Sequence, residues 1–252
     1  MNAAVKSLQR LWQLRLKPAL SIHESLLTDL TDQNLAIIRK VRSFTMTSAL
    51  RLNALIDAVR YLETNNISGA IVECGVWRGG SMMAVIETLK ELGQNKRALY
   101  LFDTYEGMPE PQAQDTSPFH ESTEEIFNQM KRPEGGSNWC YSSLETTKQN
   151  VLSTGYDKTK IHFIKGKVED TLPQLMPSSE IALLRLDTDF YSSTRHELIH
   201  LFPRLVSGGV LILDDYGHWE GQKLAVEEYF NENKISMLLN RIDYTGRIGI
   251  KR

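Results

Sequence analysis

The chain has 252 residues, 41% hydrophobic and 24% charged, with 29 Lys and Arg against 31 Asp and Glu for a net charge of −2. That length suits one large α/β domain with an ample core, and the composition excludes a disordered, collagen-like or disulfide-stapled chain. The near-neutral balance gives no electrostatic case for a nucleic-acid partner, and no apolar run approaches the roughly 20 residues of a membrane-spanning helix.

Residues 1–44 read as an N-terminal helical extension and 45–252 as one domain. Lys6, Arg10, Arg15 and Lys17 precede the first acid, Glu24, and alternate with Leu8, Leu11, Trp12, Leu14 and Leu16. The stretch lacks the continuous apolar core of a signal peptide. It reads as an amphipathic helix that packs on its own domain or on a second subunit, which makes a homo-oligomer (dimer or tetramer) the expected state and membrane association the lesser alternative. Cys74 in an apolar strand and Cys140 in a polar loop form neither a disulfide framework nor a zinc pattern, which fits a reducing cytoplasm.

From about residue 48 strand and helix signals alternate. Ala49 to Leu62 has apolar positions at helical spacing and stops at Asn65-Asn66-Ile67-Ser68-Gly69. Ala70 to Gly75 reads as a first strand, Ser81 to Leu92 as a helix, Ala98 to Asp103 as a second strand and Lys160 to Lys165 as a third. Ile181 to Leu186 and Gly208 to Leu213 follow as fourth and fifth strands, joined by a crossover helix from Ser192 to Leu205. A helix from Gln222 to Phe230 and a closing pair of strands around Tyr244 to Arg247 complete the chain.

The fourth and fifth strands each end in a pair of acids, Asp187/Asp189 and Asp214/Asp215. Buried parallel strands appear as short apolar runs, and α/β folds bind ligands at the strands' carboxyl ends. A βαβ crossover makes these two strands close neighbours, so four carboxylates meet at one edge. Such a cluster repels itself unless some members are protonated or a cation sits among them, and a divalent metal is the natural inference.

The first turn, Glu73-Cys74-Gly75-Val76-Trp77-Arg78-Gly79-Gly80-Ser81, runs from strand to helix. Its glycines let a ligand approach the backbone, but their spacing differs from the dinucleotide fingerprint. Asp103 at the end of the second strand is placed to accept hydrogen bonds from ribose hydroxyls. Between the second and third strands, residues 104–159 exceed what a compact α/β unit needs, and carry turn formers with the exposed-looking aromatics Phe119, Trp139 and Tyr141. This insertion reads as a lid or substrate-recognition element, or as a surface excursion with its own small core.

Thr45-Met46-Thr47, Ile71 to Ser81 (IVECGVWRGGS), Phe102 to Pro109 (FDTYEGMP), Arg185 to Asp189 (RLDTD) and Gly208 to Gly217 (GGVLILDDYG) together resemble the macrocin O-methyltransferase family. The match runs in order from about residue 42 to about 230. The resemblance implies a Rossmann-like class I methyltransferase fold: α/β, with a mostly parallel seven-stranded sheet, helices on both faces and an inserted lid. It also implies S-adenosylmethionine and magnesium as cofactors and methylation of sugar hydroxyls on natural-product glycosides. By that resemblance Glu73 and the Gly75-Val76-Trp77 turn hold the amino-acid part of the cofactor, with Thr45 and Met46 covering it, and Ser81 is a further cofactor-binding residue. Asp103 binds the ribose, with Thr104, Tyr105 and Gly107 lining it, and Val168 and Asp170 flank the adenine. Asp187, Asp214 and Asp215 ligate magnesium.

A sugar hydroxyl ionises far above neutrality, so methyl transfer needs its developing alkoxide stabilised and its proton removed. Asp189 is the candidate general base, since positions two apart on an extended segment share a face and set it in the same pocket as Asp187. A helix cap near Ser192 is its structural alternative, and His120 and His218 are alternative bases. Two other functions remain open. The D-x-D at Asp187-Thr188-Asp189 also suits a metal-dependent glycosyltransferase, and a non-catalytic S-adenosylmethionine-binding protein would share the glycine turn.

Overall fold

The computed structural model describes residues 29–117, 122–172, 174–175 and 180–252. The amphipathic stretch assigned to a subunit contact lies outside the described residues, as do Phe119 and His120. Within the extension, α1 covers Asp32–Val41, capped by the Thr31 side chain, and a 3-10 turn runs on to Phe44.

Seven strands form one sheet: β1 (Ala70–Cys74), β2 (Leu99–Asp103), β3 (Ile161–Lys165), β4 (Ile181–Leu186), β5 (Leu205–Leu213), β6 (Asn240–Arg241) and β7 (Arg247–Ile250). Their spatial order is β3-β2-β1-β4-β5-β7-β6. The first five pair in parallel, while β7 runs antiparallel to both β5 and β6. The α/β fold with a mostly parallel seven-stranded sheet is therefore as expected.

Alternate strand residues serve opposite faces, which is the period-two rule of the extended chain. Ile71, Leu99, Leu101, Leu183, Val210 and Ile212 pack with α1, α2 (Ala49–Thr64) and α3 (Gly80–Glu91). Val72, Cys74, Phe102, Leu184, Leu186, Leu211 and Leu213 face the other way into a second core. Residues of α6 (Val168–Thr171), α7 (Tyr191–Leu201) and α8 (Glu220–Glu232) pack there. All six side chains of β4 are buried, as expected of a central parallel strand that is apolar but for Arg185.

Two boundaries differ from expectation. The crossover helix stops at Leu201, because Pro203 falls in a 3-10 turn (Phe202–Arg204), and β5 begins at Leu205, three residues before its glycines. The long segment between β2 and β3 holds two helices, α4 (Thr123–Met130) and α5 (Leu144–Leu152). Only the part before α5 is an excursion. Helix α5 is the regular crossover to β3, and it backs the first turn through Thr147 Oγ1 donating to Trp77 O (2.6 Å) and Asn150 Nδ2 donating to Arg78 O (3.0 Å).

The sheet reverses its winding direction between β1 and β4, so the crevice beyond their carboxyl ends is the place for a ligand. There the Gly75 backbone, at φ +84°, passes so close over β4's exit that a Cβ on it would lie 2.0 Å from the Asp187 carbonyl oxygen. Asp187 N donates to Cys74 O (2.8 Å) across the same gap.

Candidate active site

Asp103 holds the first turn in shape. Its Oδ2 accepts from the backbone N–H of Val76 (2.7 Å) and Trp77 (2.9 Å), and its Oδ1 from that of Tyr105 (2.6 Å). Both Trp77 and Tyr105 adopt left-handed backbone, which turns those amides inward. Burial raises the Asp103 carboxyl pKa while the amides pull it down. The expected ribose acceptor thus has a second task, bracing the β1 and β2 loops against each other. Thr104 Oγ1 donates to Gly107 O (2.9 Å) and closes the β2 loop.

The four aspartates do meet. One oxygen each from Asp187, Asp214 and Asp215 lies within 4.8 Å of the others, and Asp189 lines the same cavity. Burial first, then neighbouring acids, raises Asp215 well above the carboxylate range; burial does the same to Asp187 against the pull of Arg185. Asp189 is pushed up to about 7 by burial and then by the charge of Asp187.

Two buried arginines partly balance this charge, and neither figures among the sequence candidates. Arg185, in register with Glu73 across the β1–β4 pair, reaches Glu73 Oε1 (2.7 Å), Asp187 Oδ2 (2.8 Å), Asp214 Oδ1 (2.7 Å) and Thr47 Oγ1 (3.0 Å). Arg51 from α2 pairs with the other oxygen of Asp214 and with Asp243 (3.1 Å). Asp214 is therefore fixed on both oxygens, while Asp187 and Asp215 each keep more freedom toward the cavity. Arg185 had a readable signal, being the lone charge in a six-residue apolar strand; Arg51, on an ordinary-looking helix, had none.

Asp189 does not lie on extended chain. Its φ is +67°, and Phe190 N donates to Thr188 O (2.7 Å) across it, the pattern of a strained three-residue γ-turn. Such conformations cost about 1–3 kcal/mol and persist where flanking contacts over-determine them. Nor is it a helix cap, since Phe190 occupies the N-cap of α7 and offers no side-chain bond.

A cavity of about 670 Å³ joins these parts. Its walls include Thr45, Met46, Gly75, Val76, Trp77, Ser81, Asp103, Thr104, Gly107 and Val168 on one side and Asp187, Asp189, Asp214, Asp215, His218 and Tyr244 on the other. Three sequence candidates contribute differently. Glu73 is 2% exposed and sits behind the wall, its Oε1 on Arg185 and its Oε2 without a hydrogen-bond partner. The Tyr105 side chain turns into the core, where its hydroxyl donates to Leu101 O (3.2 Å), so only its backbone serves the site. Asp170 faces solvent one residue beyond Glu169, which lines the cavity. Trp139 is buried, not exposed: it packs with Phe190 and Trp219 at ring distances of 6.0 Å each, and both tryptophans line the cavity. Tyr141 is 41% exposed, as expected.

A mostly parallel sheet with a glycine turn after β1, an acid after β2 and a carboxylate cluster after β4 and β5 marks an α/β protein that binds a small molecule at its strand ends. Residues 28–248 match the macrocin-O-methyltransferase (TylF) family, and the chain belongs to it. It is 33% identical over 202 residues to the 8-demethyl-8-(2,3-dimethoxy-alpha-L-rhamnosyl)-tetracenomycin-C 4'-O-methyltransferase of Streptomyces olivaceus, covering 80% of this chain and 73% of that one. It is 31% identical over 203 residues to the mycinamicin III 3''-O-methyltransferase of Micromonospora griseorubida, covering 80% and 76%. The solved O-methyltransferase NovP superposes with a TM-score of 0.72 at 28% identity over 82% of both chains. The calicheamicin methyltransferase CalS11, at 18% identity and a TM-score of 0.62 over 79% and 78%, shares the fold. The protein is an O-methyltransferase with a class I methyltransferase fold, and the glycosyltransferase and non-catalytic readings give way to it. Among the described residues no helix is long and apolar enough to cross a membrane.

Proposed function

We propose that this enzyme methylates a hydroxyl on the sugar of a small natural-product glycoside, with S-adenosylmethionine as donor, magnesium at Asp187, Asp214 and Asp215, and Asp189 as general base. The observation that carries the reading is the sharing of one cavity by the glycine turn and the four aspartates. When bound, the cofactor supplies an electrophilic methyl group and the metal an acid that polarises the acceptor hydroxyl.

The residues suit both groups. An oxygen-only ligand set favours a hard cation, and the surplus of carboxylates over Arg51 and Arg185 calls for one. The buried Oε2 of Glu73, behind the cavity wall, suits the ammonium of the donor's amino-acid part, and Thr45, Met46 and Ser81 line the cavity. Val168 and Glu169 border the end suited to the adenine. Asp189, lining the cavity beside the cluster, takes the hydroxyl proton as the oxygen attacks. His218 is the poorer base, because burial and then Arg51 depress it to about 4. Trp139 and Trp219 give the acceptor an apolar wall, and much of the acceleration comes from aligning its oxygen with the methyl group. Both cysteines are free thiols, which suits a cytoplasmic enzyme, and the N-terminal stretch remains the proposed subunit contact.

The test is methyl transfer from labelled S-adenosylmethionine to a panel of rhamnosides, other glycosides and nucleotide sugars. The wild type should methylate at least one sugar hydroxyl, and Asp189→Asn should lose turnover by about 10²-fold or more while keeping its donor affinity within about twofold. Undiminished turnover in Asp189→Asn refutes the base assignment.

A further inference from the structure

Helices α7 and α8 each follow a loop of the site, Asp187 to Phe190 and Asp214 to Trp219, and neither N-cap residue supplies a side-chain cap. Their N-termini are closed instead by two residues of the inserted segment. Asp115 Oδ1 accepts from Tyr191 N (2.7 Å), at the first residue of α7, and Thr116 O accepts from Glu220 N (3.0 Å), at the first residue of α8. Asp115 is 1% exposed, its other oxygen accepts from Gln112 N (2.8 Å), and no cation pairs with it among the described residues. The fit is close on the α8 side as well, since a Cβ on Gly221 would lie 2.1 Å from Asp115 Oδ1 and 2.9 Å from Tyr191 N. A negative charge there lies at two helix N-termini at once, where backbone amides and dipoles favour it.

Asp189 stands two residues before the amide that Asp115 holds. Its left-handed γ-turn needs anchors on both flanks. Upstream, Thr188 Oγ1 donates to buried Glu197 (3.0 Å); downstream, Ser193 Oγ donates to Phe190 O (3.1 Å) and Asp115 accepts from Tyr191 N. We propose that Asp115 is a positioning residue that sets the Asp189 carboxylate for proton transfer, so that the inserted segment helps build the catalytic loop besides covering it. The inference rests on the reading of Asp189 as base.

A double-mutant cycle tests it, with kcat, acceptor KM and S-adenosylmethionine affinity measured for Asp115→Ala, Asp189→Asn and the pair. Asp115→Ala should lower kcat by about 10-fold or more, with KM and donor affinity within about twofold, because a small misplacement of a reacting group slows the chemical step. In the Asp189→Asn background the same substitution should change turnover by less than about twofold, since residues acting as a unit are non-additive. Asp115→Asn keeps one acceptor oxygen and should recover part of the lost kcat; if the alanine variant does not fold, the asparagine variant runs the same cycle. Equal losses of kcat in both backgrounds, or a loss confined to KM or donor affinity, overturn the role of Asp115 alone. Wild-type turnover in Asp189→Asn overturns the base assignment and the inference with it.

Discussion

At Glu73 a buried acid faces Arg185 with one oxygen, and among the described residues none hydrogen-bonds the other. Burial, offset in part by Arg185, raises it from 4.5 to about 7. The folded chain then holds a proton that the unfolded chain has released between pH 4.5 and 7, so the associated stability is present at low pH and lost as pH rises through about 7. Urea unfolding across this range should show the wild type losing on the order of 3 kcal/mol relative to Glu73→Gln, which has no such proton. A pH-independent difference between the two would show that Glu73 is ionised throughout. A donor ammonium on Oε2 would reverse the preference, so cofactor affinity should rise with pH over the same window in the wild type and stay flat in Glu73→Gln. Residues of this kind were half legible. Glu73 stands out as an acid inside an apolar strand, but its partner Arg185 is found 112 positions later, and only the strand register puts them together.

Among the elements, the turn between β1 and α3 is the least tolerant. A side chain at Gly75 meets the Asp187 carbonyl and also needs positive φ, so Gly75→Ala must push the turn away from β4. Thermal unfolding should show destabilisation of more than about 1 kcal/mol, and donor binding should fall with it, since the displaced amides of Val76 and Trp77 are those that Asp103 fixes. A variant as stable as the wild type would mean that the turn relaxes freely. The central strands β1, β4 and β5 were readable because burial on both faces leaves mostly apolar runs, and β2 and the edge strand β3 because short apolar stretches end at an acid or a lysine. The end of α7 and the γ-turn at Asp189 were not. Pro203 falls in a 3-10 turn that follows α7 directly, and positive φ at an aspartate has no pattern in the sequence.

For the whole molecule, the convergence of Asp187, Asp214 and Asp215 follows from topology, since a crossover makes β4 and β5 neighbours and places their ends together. That much was legible. The sharing of their charge with Arg51 and Arg185, and the packing of Trp139 on Phe190 and Trp219, depend on contacts between distant segments that no local spacing encodes. Two arginines leave the aspartate cluster short of positive charge, and the proposed magnesium would fill that deficit and support methyl transfer. The most direct measurement is turnover of the wild type after removal of metal by a chelator and dialysis, then on titration with magnesium. Turnover should be lost on removal and recover saturably, with Asp187→Asn needing far more magnesium. Full turnover in verified metal-free enzyme would contradict it and leave the arginines as the whole of the counter-charge.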